Sequence, residues 1–158
     1  MDISIRRPDI RFHLRAAAII IVDNRVLMVK SDDSDAYYTV GGRIRMGESS
    51  ADAVLREVCE ETGQPLAIDR LLFVDERFFH YDGADHHQVC FYYLMQPPAF
   101  PIPDGKPTDQ AGESLAWLPI ADLPKFTIIP SFLCTALQNL PDQPVHLITK
   151  EPNHETTL

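Results

Sequence analysis

The sequence predicts an α/β fold, a layered sandwich on a mixed β-sheet, and three observations carry that expectation. Segments rich in β-branched and aromatic residues alternate with turn residues, two other segments have helical periodicity, and 45% of the 158 residues are hydrophobic, enough to enclose a core. No repeat or inner linker breaks the sequence. A single domain over 1–158 is therefore expected, with its core at about 12–148 and a disordered tail in "TKEPNHETTL".

The elements follow in order. "AAAIIIVDNRVLMVK" reads as two apolar runs joined at Asp23-Asn24-Arg25, a hairpin whose first arm is a buried strand. The charged "SDDSDA" leads into "YYTVGG", a short strand ending where Gly41-Gly42 opens backbone conformations closed to other residues. Ser49 with Asp52 has capping-box spacing, "ADAVLREVCEET" follows as a helix, and Gly63 with Pro65 stops it. Ala51, Leu55, Val58, Cys59 and Thr62 are expected to face the sheet from this helix.

"RLLFVDERFF" and "HHQVCFYYLM" read as two strands around "HYDGAD", with Asp82-Gly83 the tightest point. The stretch from Gln96 to Gly112 holds five prolines and reads as a lid or a slack surface loop. "SLAWLPI" returns to strand character, and "PSFLCTALQNL" is helical between Pro130 and Pro141.

Charge narrows the function. A net charge of -9 and a pI near 5.0 argue against a general grip on a nucleic-acid polymer, so a small anionic ligand would need a local bridge such as a cation. "AAAIIIV" is too short to span a bilayer, so no membrane is expected. Cys59, Cys90 and Cys134 are odd in number and form no CxxC pair, which points to the reducing cytoplasm.

The chemistry concentrates in "GGRIRMGESSADAVLREVCEETG". Glu57, Glu60 and Glu61 fall within roughly a 100° arc of one helix, where like charges repel by a few tenths of a kcal/mol. A solvated acidic face is the ordinary explanation of "EVCEE" alone. The spacing to Gly42, Glu48 and Arg56 supplies a different one. Mg2+ takes oxygen ligands from a few carboxylates and substrate phosphates, and a glycine lets a main-chain carbonyl approach as well.

Gly42, then Glu48, then "REVCEETG" from Arg56 to Gly63 resemble the signature of the Nudix hydrolases over 22 residues. Gln64 is the one departure, standing where that signature has an apolar residue. The resemblance implies an α/β/α sandwich in which the signature forms a loop, helix and loop. It also implies a hydrolase cleaving the diphosphate linkage of a small nucleoside diphosphate derivative, such as a nucleoside triphosphate, ADP-ribose or a nucleotide sugar. Carried over by position, Glu57, Glu60, Glu61 and the Gly42 carbonyl would bind Mg2+, with Mn2+ as a substitute, and Glu48 would support that site. Arg56 would orient its neighbours, and Glu57 or the more distant Glu113 would act as general base. The alternative function is a non-hydrolysing Nudix domain that senses a nucleotide or binds a protein. A homodimer is a further expectation.

Other residues carry weaker signals. Glu76 is a lesser candidate of the Glu113 kind, and Asp104 and Lys106 are candidates to touch a phosphate or ribose. Strand alternation places His86 and Cys90 opposite His87, against a shared zinc site. Tyr37, Tyr38, Phe79 and Phe126 could stack on a base, although core packing is the ordinary role of such aromatics.

Overall fold

The computed structural model describes residues 1–151. Its strands are β1 (Ser4–Arg6), β2 (Ile10–Ile19), β3 (Ile21–Val22), β4 (Arg25–Ser31), β5 (Ala36–Arg43), β6 (Ile68–Tyr81), β7 (Ala84–Met95), β8 (Glu113–Pro119), β9 (Thr127–Ile129) and β10 (Val145–Lys150). Helix α1 spans Ser50–Thr62, a 3₁₀ segment spans Ile120–Lys125, and α2 spans Leu133–Ala136. The strands form one mixed sheet in the order β10-β6-β7-β2-β5-β4-β3, with β1 paired to β2, β8 to β4 and β9 to β5.

Burial on both faces of the sheet explains the unbroken apolar run in β2, since Ala16 to Ile20 are all buried. On one side Ala16, Ala18 and Val40 meet Val54 and Val58 of α1. On the other, Ala17, Ile19, Met28 and Tyr92 meet Leu123, Leu133 and Leu137 from the 3₁₀ segment and α2. These two cores make the α/β/α sandwich. Each fully buried aliphatic side chain contributes on the order of 1.5–3 kcal/mol.

Local turn chemistry set the hairpins. Asp82 and Gly83 have φ of 51° and 69°, the two positive values of a type I′ turn joining β6 to β7. Asp23 and Asn24, at 50° and 58°, do the same between β3 and β4. The expected first hairpin is nevertheless only two residue pairs long. The main apolar arm, β2, pairs instead with β7 in parallel and with β5 in antiparallel.

Several other expectations need correction. β5 continues through Gly41-Gly42 to Arg43, because both glycines pair in register with β2. The expected helix over 130–140 contracts to the four residues of α2, flanked by turns, although Leu133 and Leu137 are still buried. The first residues of the expected tail, Thr149 and Lys150, belong to β10, which pairs in parallel with β6. The rest of that tail, 152–158, lies outside the described residues. The elements therefore run from Ser4 to Lys150, while the buried hydrophobic residues run from Ala16 to Leu137.

Candidate active site

The acid-rich helix forms as its caps dictate. The Ser49 side chain accepts from the Asp52 N–H, and Gly63 ends α1 in the left-handed region at φ 77°, donating to the Cys59 carbonyl. Its orientation differs from the expected one. Ala53, Val54, Val58, Glu61 and Thr62 are buried, whereas Leu55 and Cys59 are exposed. The helix is rotated so that Glu61 falls at the edge of the buried stripe.

Arg56 organises the carboxylates. Its Nε and Nη2 donate to the two oxygens of Glu48 at 2.7 and 3.0 Å, and its Nη1 donates to Glu57 at 2.5 Å and Glu60 at 3.2 Å. Nη2 also reaches the Arg43 carbonyl at 3.1 Å. Such a two-pronged grip exploits the guanidinium fork, and it holds the Glu48 carboxyl down at about 2. Much of the repulsion expected among the glutamates is thus offset by one arginine, with Arg45 3.8 Å from Glu60 adding to it.

Glu61 lies beyond that grip. It is 7% exposed, and its Oε2 accepts from the Gly41 N–H at 3.3 Å. Burial, together with the charges of Glu57 and Glu113, pushes its carboxyl up to about 8. Glu113 is therefore brought electrostatically within reach of the cluster. It is the first residue of β8, paired with Ser31, so the strand itself places it and no flexible loop is needed to deliver it.

Gly42 is the position where absence of a side chain matters most here. A Cβ there would sit 2.3–2.5 Å from the Glu57 carboxylate, so main chain and carboxylate are already in close approach. Among the described residues, no three His, Cys, Asp or Glu side chains are gathered as a ready metal cage. Glu57 and Glu60 are turned to Arg56 instead. The donor chemistry still fits a hard divalent cation: Glu57, Glu60 and Glu61 share one helix, the Gly42 main chain lies close to Glu57, and Glu61 is buried with no cationic partner at hydrogen-bond distance among the described residues.

A cleft of about 740 Å³ opens on the sheet face away from α1. Arg15, Tyr38, Arg77, Phe79, Gln88 and Tyr92 are among its walls. Arg15 joins it to the carboxylates, since its Nη2 lies 3.4 Å from the carbonyl of Gly41, the residue whose N–H meets Glu61. Glu151 holds Arg77 in a two-bond ion pair at 2.8 and 2.7 Å. Buried Asp75, its acidity weakened by burial, accepts from Thr149. Arg15, Arg77 and Gln88 were missed from the sequence because three different strands supply them. The alternation of "RFHLR", with Arg11, His13 and Arg15 on one face, was the available signal.

The structure also sorts the weaker candidates. Tyr38 and Phe79 do line the cleft, while Tyr37 packs edge-on against Phe126. His86 stacks on Phe79 and His87 on Phe78, on opposite faces as alternation predicts. Glu76 is bound to His146 at 2.7 Å on the far side of the sheet order, away from the cluster. Lys106 donates to the Thr62 carbonyl at 2.6 Å and so caps α1, and Asp104 accepts from the Trp117 N–H. Both roles are structural. The proline-rich segment is accordingly neither lid nor slack: Ile102 is buried, and Gln64 clamps Phe100 by bonds to its carbonyl and N–H. That clamp replaces the apolar contact which Gln64 forgoes.

A mixed sheet between helices, with a glycine-bearing strand feeding an acid-rich helix, defines the class of fold. Residues 12–133 match the NUDIX domain, and the chain belongs to the Nudix family. A Bacillus subtilis protein provisionally named an 8-oxo-dGTP diphosphatase is 33% identical over 118 residues, 73% of either chain. The human 8-oxo-dGDP phosphatase NUDT18 is 30% identical over 111 residues, 68% of this chain. The chain spans about a third of the length of NUDT18 (32%), and likewise 32% of a Mycobacterium tuberculosis relative provisionally named mutator protein MutT4. Among solved structures, the MutT Nudix hydrolase of Burkholderia pseudomallei is 30% identical with a TM-score of 0.56, covering 72% of this chain and 87% of its own. The MutT protein of Bacillus halodurans shares the fold at a TM-score of 0.66 and 15% identity, over 89% and 91% of the two chains.

Proposed function

We propose that this chain is a single-domain, divalent-metal-dependent pyrophosphohydrolase that cleaves the diphosphate linkage of a small nucleoside diphosphate derivative. One observation carries the reading: a cluster of Glu48, Arg56, Glu57, Glu60 and Glu61 is linked through the Gly41 main chain to Arg15, which lines a nucleotide-sized cleft. Glu57, Glu60, Glu61 and the Gly42 carbonyl would hold Mg2+ or Mn2+. A bound divalent ion draws charge from the diphosphate oxygens and lowers the pKa of water.

The chain's own residues do the rest. Arg56, anchored on Glu48, fixes the rotamers of Glu57 and Glu60. Water attacks phosphorus, the anhydride P–O bond breaks, and Glu57 takes the proton, with Glu113 the alternative acceptor. The cleft walls, Tyr38 and Phe79 with Gln88, offer stacking surfaces and a donor for a nucleoside. The names of the relatives direct attention to oxidised guanine nucleotides.

A panel of 8-oxo-dGTP, 8-oxo-dGDP, dGTP, ADP-ribose and nucleotide sugars, assayed with Mg2+ or Mn2+ for released monophosphate, tests the reading. Metal-dependent turnover of at least one compound is expected. Tight binding of a compound without turnover would instead establish the sensor alternative, and full activity in excess chelator would refute the metal role.

A further inference from the structure

Two like-charged cross-strand pairs lie on the sheet face away from α1. Arg6 of β1 stands opposite Arg11 of β2, and Arg43 of β5 stands opposite Arg15 of β2. Same-face positions along β2 therefore run Arg11, His13, Arg15. On the other flank, β7 sets His86 beside Arg11, Gln88 beside His13 and Cys90 beside Arg15, and none of these is a carboxylate. Opposed like charges destabilise a strand pair, and two such pairs run against the net charge of -9.

The stripe has little internal compensation. Among the described residues, Asp2 is the carboxylate paired with these arginines, 3.7 Å from Arg43. Two buried nitrogens within it, His13 Nδ1 and Arg43 Nε, lack a hydrogen-bond partner among the described residues. His13 Nε2 lies 3.3 Å from His86 Nδ1, and burial with the surrounding Arg43, Arg15 and Arg6 charges holds His13 down at about 4. The positive charge thus resides on the arginines. The inner end reaches the carboxylate cluster, because Arg15 contacts the Gly41 carbonyl and its charge acts on Glu61.

We propose that Arg6, Arg11, Arg15 and Arg43 form a second anion subsite, which receives a phosphate that the substrate carries beyond the diphosphate being cleaved. The proposal rests on the reading of the cluster as a pyrophosphohydrolase site. It assigns the second moiety of the substrate an anionic character: a further phosphate or a phosphorylated group, in preference to a neutral sugar. A phosphate there would offset the repulsion between opposed arginines, and charge-assisted bonds of this kind are the stronger ones.

The test uses the full chain and two probes. Tripolyphosphate binding is measured by calorimetry in excess EDTA, so that it does not depend on the metal site. The dGTP to dGDP ratio of kcat/KM is measured with Mg2+, since dGTP carries one phosphate more. Arg11→Gln and Arg43→Gln are expected to weaken tripolyphosphate about tenfold each and to lower the dGTP to dGDP ratio, while Lys125→Gln, on the distant 3₁₀ segment, changes neither. Melting temperatures should not fall in the arginine variants, because repulsion is removed. Equal tripolyphosphate affinity in wild type and variants overturns the proposal. Weakened tripolyphosphate binding with an unchanged nucleotide ratio also overturns it, since the stripe would then serve free polyphosphate and not substrate. Arginine-dependent binding with no turnover of either nucleotide would count against the hydrolase reading while supporting the anion subsite.

Discussion

Glu61→Gln should stabilise the metal-free protein, and the gain should depend on pH. The folded carboxyl sits at about 8 and its ordinary value is 4.5. Because the folded value is raised, the folded state keeps a proton that the unfolded chain releases between those limits. Stability conferred by that retained proton is fully present below pH 4.5 and is lost as pH rises towards 8. At about 1.4 kcal/mol per pH unit, the gap bounds the cost near 5 kcal/mol. Rotation of the side chain towards solvent relieves part of it, so about 2–4 kcal/mol is expected near pH 8. For a chain of this size that corresponds to roughly 5–10 °C in melting temperature.

Thermal melts in EDTA from pH 4 to 8.5 measure the effect: the two proteins should coincide at the acid end and separate progressively above pH 5. Added Mg2+ should raise the wild-type melting temperature and leave the variant nearly unmoved. Parallel curves across the pH range, or equal stabilisation of both by Mg2+, would refute the reasoning about burial and about ligation respectively.

Three further outcomes follow from the same geometry. Gly42→Ala should cost little stability but strongly lower kcat, because its Cβ meets only the far end of the Glu57 side chain and displaces that carboxylate, whereas Gly41→Ala, whose Cβ would meet the Ala16 carbonyl at 2.3 Å at φ 147°, should destabilise by more than 3 kcal/mol or abolish folding; melts and steady-state kinetics separate the two. Arg56→Lys should lose the two-bond hold on Glu48 and release its carboxyl upward from about 2, so the stability that this pair confers above pH 4.5 and loses on acidification should shrink, as read by acid unfolding. Glu57→Gln should lower kcat by roughly 10²–10⁴-fold at saturating Mg2+ and Glu113→Gln by less; loss of the acidic limb of the pH profile only in the Glu113 variant would move the base to β8.

Much of the candidate site was legible because its signals are local. Ser49, Gly63 and the Arg56–Glu60 spacing act within one or two turns of chain, and the structure shows the cap, the stop and the contacts those spacings imply. Asp82-Gly83 set a hairpin for the same reason, since two residues alone decide a type I′ turn. The rotation of α1 was misread because Leu55 and Cys59 match the buried side in hydrophobicity, and packing against β2 and β5 selected Val54 and Ala53 instead. Lys106 and Gln64 read as loop polar residues; their structural work depends on partners 44 and 36 residues away.

By itself the sequence determined the family signature, the charge of the acidic helix, the turns and the alternation of strands, all properties of neighbouring residues and their backbone preferences. Tertiary structure alone decided that β2 joins β7 and not the run after its own turn, that β10 closes the sheet beside β6, and that Arg15, Arg77 and Gln88 share one cleft. Strand partners are selected by the total burial and register of both sheet faces, a sum over distant segments that no local stretch contains. The same assembly buried Glu61 beside Gly41 and set four arginines in opposed pairs, so the acid and the anion-seeking charges acquired their chemistry from where the sheet brought them together.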